Sequence, residues 1–275
     1  MGGTLRPFWQ VVLVCTVCSF PRVVSAQTLG GTRPQLADPA AQGALTAFRT
    51  ALDITTFSGS DADARYNWDV DLLLDADLFD VGFVRGNLLA NLETIVGSEF
   101  RNVDPNQNNY VVDFSILVRL PRGEIGTTFH HVSRHLSDRP DQGSVSWNMI
   151  GVSYADRFDI GPLRVDAGVR GLGTVERAGV DYTAQFEWHS TFELDVTRRV
   201  SIIAGGDGVI VPVESEVFMR TTRRGGLMSA GLRFPTPAGA VDLFIGWEQR
   251  IDAGQFSHDT VRWMQVGVRL SAAVP

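Results

Sequence analysis

Lysine is absent: all 24 basic side chains of the 275-residue chain are arginines, outnumbered by 31 aspartates and glutamates for a formal charge of −7. That balance lacks the broad basic surface that counterion release from a phosphate backbone requires, which excludes a general nucleic-acid binder. Cysteine is nearly absent too. Both copies, Cys15 and Cys18, lie near the start, so the rest of the chain holds neither a disulfide nor a thiolate metal site. Beyond residue 24 no run of 18 apolar residues occurs, which excludes a bundle of transmembrane helices. Yet 44% of the residues are hydrophobic and the mean hydropathy is +0.02, high for a chain with 20% charged residues.

The two cysteines belong to a targeting segment. Arg6 supplies a positive start, Val11-Val12-Leu13-Val14 opens a short apolar core, and Val24-Ser25-Ala26 before Gln27 has the small-x-small form of a signal-peptidase site. The reading is a signal peptide over 1–26, a Gly-, Pro- and Ala-rich periplasmic lead-in over 27–44, and one domain over 45–275. Export to a bacterial envelope follows.

The remaining chain shows period-two alternation and almost no helical period. It predicts twelve strands, at 46–57, 64–78, 82–98, 109–120, 124–134, 144–156, 161–176, 182–195, 199–209, 225–234, 239–251 and 259–271. The connections alternate as well, short at places such as Pro121-Arg122-Gly123 and mostly longer and polar at places such as 99–108 and 210–224. Short turns at one end and long loops at the other are the pattern of a transmembrane antiparallel β-barrel in the bacterial outer membrane. A soluble sandwich has no reason to segregate its loop lengths.

Alternation within strands separates two faces. Leu163, Val165, Ala167 and Val169 oppose Arg164, Asp166 and Arg170, and Phe186, Trp188, Phe192 and Leu194 oppose Glu187, His189, Glu193 and Asp195. The expectation is an apolar face toward lipid and a polar, ion-paired lumen, with Tyr110, Tyr154, Tyr182, Trp188 and Trp247 as an aromatic girdle. Inner charges such as Glu93, Arg170 and Glu248 read either as mutually paired filling or as an ion pathway. Arg220, Arg223 and Arg224 read as a solvated loop or as contacts for lipopolysaccharide phosphates.

One constellation carries chemistry. Thr127-Thr128-Phe129-His130-His131-Val132-Ser133-Arg134-His135 is followed by Ser144-Val145-Ser146-Trp147-Asn148. A hairpin centred at Arg139-Pro140 puts His131 opposite Asn148 on the outward face, within about 5 Å, with Ser133 on the same face. A histidine beside a serine acts as base, and an amide fixes the imidazole tautomer.

This His-x-Ser, polar loop, Ser-x-Ser-Trp-Asn order resembles the active-site region of outer membrane phospholipase A, a family of twelve-stranded barrels whose His-Ser-Asn triad faces lipid. The resemblance implies Ser133 as nucleophile, His131 as general base and Asn148 as the orienting residue. It also implies dependence on Ca2+, with Ser144, Asp138 and Asp141 as the metal-binding region, and a homodimer acting on outer-membrane phospholipid. The chain departs from that family in having Arg134-His135 where the family has Asn-Gly, and in a longer loop. The run His131-Val132-Ser133-Arg134-His135-Leu136-Ser137-Asp138 is also similar to the His-x-Ser-Ser-His-Leu-Gly-Asp stretch of an uncharacterised bacterial exported family, which implies no activity. Two functions stay open on sequence: phospholipid acyl hydrolysis, or a non-catalytic structural or narrow-pore barrel in which these histidines merely meet headgroups.

Overall fold

A computed structural model describes residues 42–59, 61–137, 143 and 145–274. The expected signal peptide and nearly all of the lead-in lie outside the described residues. Twelve strands form: β1 (Gly43–Ser58), β2 (Trp68–Asp80), β3 (Val84–Gly97), β4 (Asp104–Arg119), β5 (Glu124–Leu136), β6 (Val145–Ile160), β7 (Leu163–Ala178), β8 (Ala184–Thr197), β9 (Val200–Val211), β10 (Arg223–Thr236), β11 (Gly239–Ile251) and β12 (Thr260–Val274). A one-turn helix, α1 (Ser215–Phe218), interrupts the loop between β9 and β10.

Each strand pairs antiparallel with its chain neighbours, and β12 closes on β1, so the sheet is a closed barrel without edges. Its exterior is apolar because period-two alternation sends residues such as Ile54, Leu72, Phe129, Val152, Ile245 and Val266 outward, where each is at least two-fifths exposed. Short turns, the start of β1 and the end of β12 share one end of the barrel. The long loops share the other.

Forked arginines tie the lumen together at several levels along the barrel axis. Arg85 bridges Asp77 and Glu124, Arg49 reaches Asp75 and Asp77 at 3.1 Å each, and Arg269 holds Asp53 at 2.6 Å. Arg250, 4% exposed, reaches Asp69 at 2.7 Å, Glu93 at 2.9 Å and Glu248 at 2.7 Å. Arg170 ties Asp113 to Glu187 at 2.5 Å each. Guanidinium is the cation suited to this role, because its planar fork offers five donors to carboxylates on different strands.

The upper lumen differs from the uniformly polar interior that the alternation suggested. Val111, Val132, Trp147, Met149, Leu172, Tyr182 and Val209 form an apolar core there, among the residues of a larger cluster. Tyr182, expected in the aromatic girdle, is only 1% exposed. Its segment folds back over the mouth, bridging to Val213, and its hydroxyl donates to Asp252 at 2.6 Å. Arg220 locks this lid of loops by pairing with Asp181 and, at 2.6 Å, with Asp252, so it does not present its charge to lipopolysaccharide. Burial pulls the Asp252 carboxyl up, but hydrogen bonds from Arg220 and Tyr182 outweigh that and hold it below the usual carboxylate range.

Cavities among the described residues include one of about 30 Å³ and one of about 50 Å³. Each has room for very few waters.

Candidate active site on the outer wall

The β4–β5 turn fixes the first half of the site. Leu120 N–H donates to the Gly123 carbonyl at 3.1 Å, and Gly123 sits at φ 67°, where a Cβ would also lie 2.3 Å from the Ala155 carbonyl oxygen. Only glycine fits that conformation and that approach. From this turn the ladder runs in unbroken register to Tyr110 opposite Ser133 and Val112 opposite His131. Between β5 and β6 the register sets His131 directly opposite Asn148 and Ser133 opposite Ser146.

His131, Ser133 and Asn148 all point outward and are half-buried, whereas their neighbours His130, Val132, Arg134, Trp147 and Met149 are buried inside. His131 Nδ1 and Asn148 Oδ1 are 2.6 Å apart. Asn148 Nδ2 in turn donates to Glu176 Oε2 on β7 at 3.1 Å. The Ser133 hydroxyl has no hydrogen-bond partner among the described residues, His131 included. Its hydroxyl nevertheless shares the face of His131 two residues along one strand, so both side chains leave the same side of the pleat.

The surroundings are graded. Toward mid-membrane the outward neighbours are Val112, Phe114, Phe129 and Ile150; toward the loops they are Tyr110, Ser146, His135 and Glu176. His135 meets the Tyr110 ring edge-on at 5.6 Å between centroids. The imidazole thus stands where the apolar wall gives way to polar groups.

His130 belongs elsewhere. Its Nδ1 lies 2.5 Å from Asp113 Oδ1 inside the barrel, in the Arg170 cluster, so the two consecutive histidines have unrelated surroundings. Ser144, Asp138 and Asp141, the metal region implied by family resemblance, lie outside the described residues. Among the described residues one acidic group could hold an ion, Asp69, Asp71 and Glu93, but it lies in the lumen and Arg250 already supplies its cation.

Glu176 was not legible as a site residue. Strict alternation along β7 assigns it inward, with Arg164, Asp166 and Arg170. The register shifts by one residue between Asn148–Glu176 and Met149–Thr174, so Val175 is the extra residue of a β-bulge and Glu176 turns outward with it. Gly171 and Gly173 just before it are the one sequence hint, since glycine inside a strand often marks such a bend.

No family model matches the sequence, and no curated protein matches it. Solved structures do match in shape. An outer membrane channel from Pseudomonas putida F1 superposes with a TM-score of 0.55 at 8% identity, covering 87% of this chain and 100% of the channel. The chain has the fold of a bacterial outer-membrane barrel. The calcium-bound outer membrane phospholipase dimer of Salmonella typhi gives 0.49 at 13% identity over 87% of this chain and 93% of its own. The outer membrane phospholipase A of Escherichia coli gives 0.49 at 13% over 84% and 96%. At such identities the barrels share architecture, and each chemistry must be argued from its own residues.

Proposed function

We propose that this outer-membrane barrel hydrolyses acyl esters of glycerophospholipids at the outer leaflet. The observation that carries the reading is the 2.6 Å contact between His131 Nδ1 and Asn148 Oδ1 on the lipid-facing wall. The barrel's ladder is complete without it, and a polar pair at the membrane face carries a desolvation cost that structure alone does not repay. With Nδ1–H donating to Asn148, Nε2 is left free to accept a proton.

In this mechanism Ser133 Oγ attacks the ester carbonyl carbon while His131 Nε2 takes the hydroxyl proton. Asn148 holds the imidazole in place as it becomes cationic, and His131 returns the proton to the alcohol as its C–O bond breaks. Water, deprotonated by His131, then cleaves the acyl-Ser133 ester, and the proton goes back to Ser133 Oγ as the fatty acid leaves. The apolar wall below the site, with Phe129 and Ile150, accommodates acyl chains, and the polar side above it meets headgroups. Family resemblance extends the proposal to a calcium ion near Ser144, Asp138 and Asp141 and to a homodimer. One hydroxyl and two carboxylates are hard oxygen donors of the kind Ca2+ takes. When bound, the ion supplies positive charge to the carbonyl oxygen.

A second reading, a non-catalytic barrel, is favoured by the unpartnered Ser133 hydroxyl. One assay separates the two: fatty-acid release from phospholipid micelles, with and without calcium, by the purified protein and by Ser133→Ala and His131→Ala. Release that disappears in both variants supports hydrolysis. No release by the wild type, or equal release by all three, overturns it.

A further inference from the structure

We infer that Glu176 is a positioning residue that sets the amide orientation of Asn148 and, through it, the tautomer of His131. The inference rests on the hydrolase reading of His131 and Ser133.

An asparagine opposite a histidine is ambiguous in a way an aspartate is not. With Oδ1 toward the imidazole, His131 must carry its proton on Nδ1, and Nε2 keeps the lone pair that a general base needs. With the amide turned over, the NH2 group donates to Nδ1, the proton sits on Nε2, and the base is disabled. Nothing in an isolated amide prefers the first arrangement, since its two ends have nearly the same shape.

Glu176 breaks the tie. An ionised carboxylate only accepts, so it satisfies Nδ2 and repels Oδ1. The observed contact, Asn148 Nδ2 to Glu176 Oε2 at 3.1 Å, belongs to the productive arrangement, with Oδ1 at 2.6 Å from His131 Nδ1. The turned amide would set oxygen against oxygen at one end. Three adjacent strands therefore supply one relay, Glu176 on β7, Asn148 on β6 and His131 on β5, aligned by direct cross-strand opposition.

The bulge explains how the carboxylate reaches this face. In an unbulged ladder Val175 would stand opposite Asn148, and Glu176 would point into the lumen with Thr174 and Leu172. Bulges are used next to active sites to redirect single side chains. Among outward groups on the strands beside Asn148, Glu176 is the carboxylate directly opposite it.

The test uses full-length protein in detergent micelles, with His131 followed by ¹⁵N NMR of its two ring nitrogens and with fatty-acid release measured in parallel, for wild type, Glu176→Ala and Glu176→Gln. The expected wild-type spectrum is the tautomer protonated on Nδ1. Glu176→Ala should show a mixture of tautomers and a kcat lowered about 10–100-fold with KM little changed, the usual scale for removing a group that orients a reacting one. Glu176→Gln presents a donor as well as an acceptor, so it no longer selects one end of the Asn148 amide and should show mixed tautomers as Glu176→Ala does; a wild-type spectrum in Glu176→Gln would overturn the role of the carboxylate. Heat-modifiable gel migration checks that each variant forms the barrel. Wild-type ring shifts retained in Glu176→Ala would overturn the inference, as would a wild type protonated mainly on Nε2. If the wild type releases no fatty acid, the hydrolase reading fails while the ring shifts still decide whether Glu176 sets the tautomer; an active Glu176→Ala with unchanged shifts sinks the inference alone.

Discussion

Replacing Arg250 with methionine should be among the most damaging single changes to this barrel. The guanidinium is 4% exposed and neutralises Asp69, Glu93 and Glu248, whose side chains are each 5% exposed or less. It also lies over the rings of Phe57 and Trp263, 5.6 and 5.4 Å from their centroids. Methionine keeps the packing volume and the ring contacts but leaves three buried carboxylates without a cation. Breaking one buried pair by deleting a partner costs about 3–5 kcal/mol. For a domain of this size each kcal/mol lowers the melting temperature by about 2–4 °C, so the drop should be about 6–20 °C. Arg65 with Asp63 is the control: that pair is 50% and 46% exposed, and losing it should cost at most about 1 kcal/mol. The assay is the fraction of protein migrating as folded barrel in gels after heating across a temperature series. Adding Asp69→Asn and Glu93→Gln to Arg250→Met should recover much of the loss, because neutral groups carry a smaller desolvation cost. An Arg250→Met barrel that melts no earlier than Arg65→Met would refute the view that ion pairing holds the lumen together.

Other outcomes follow from the same geometry. The wild-type protein should give no steady conductance across a planar bilayer, since buried ion pairs and the apolar cluster fill the lumen among the described residues; sustained channel currents would contradict this. His131→Asn should abolish fatty-acid release, whereas His130→Asn should lower melting temperature without abolishing release, because His130 faces Asp113 inside; equal loss of activity in both would show that the two faces are coupled. The Asp252 carboxyl is held below its ordinary range in the folded state, so its contribution is full above the unfolded pKa near 3.9 and is lost as pH falls through the folded value. Loops 179–183, 212–222 and 252–259 should therefore become protease-sensitive only below about pH 4; opening between pH 7 and 5 would count against the Arg220–Asp252 lock.

The strands were legible because lipid on one side and a filled lumen on the other enforce a period of two, and because glycine and proline punctuate the turns. The opposition of His131 and Asn148 was legible for a simpler reason. In an antiparallel hairpin the numbers of opposed residues have a constant sum, so placing the hairpin centre fixes the whole register. Bulges defeat this arithmetic. The shift at Val175 hid Glu176, and another between Asp77 and Phe79 brings the Phe79 ring over Gly86, so the even alternation of β2 does not extend to its end. Long-range partners were equally hidden: nothing local joins Arg220 to Asp181 and Asp252, 39 and 32 residues away. The apolar upper lumen escaped notice because Val132, Trp147 and Leu172 look, one strand at a time, like breaks in the pattern rather than parts of a shared core.

The closure of β12 on β1 bears on how the barrel is made. Eleven of the twelve ladders join strands adjacent in sequence, so each forms by zipping from a nearby turn. The seam alone must bring together segments such as Asp53 and Arg269, 216 residues apart, and its ion pair lies inside the wall. Until the seam forms, β12 and β1 both present unpaired backbone edges, which the hydrocarbon core does not tolerate. Insertion and closure are therefore expected to be one cooperative event whose slow step is the meeting of the first strand with the last, and the Asp53–Arg269 pair acts as a latch that forms late and resists reopening.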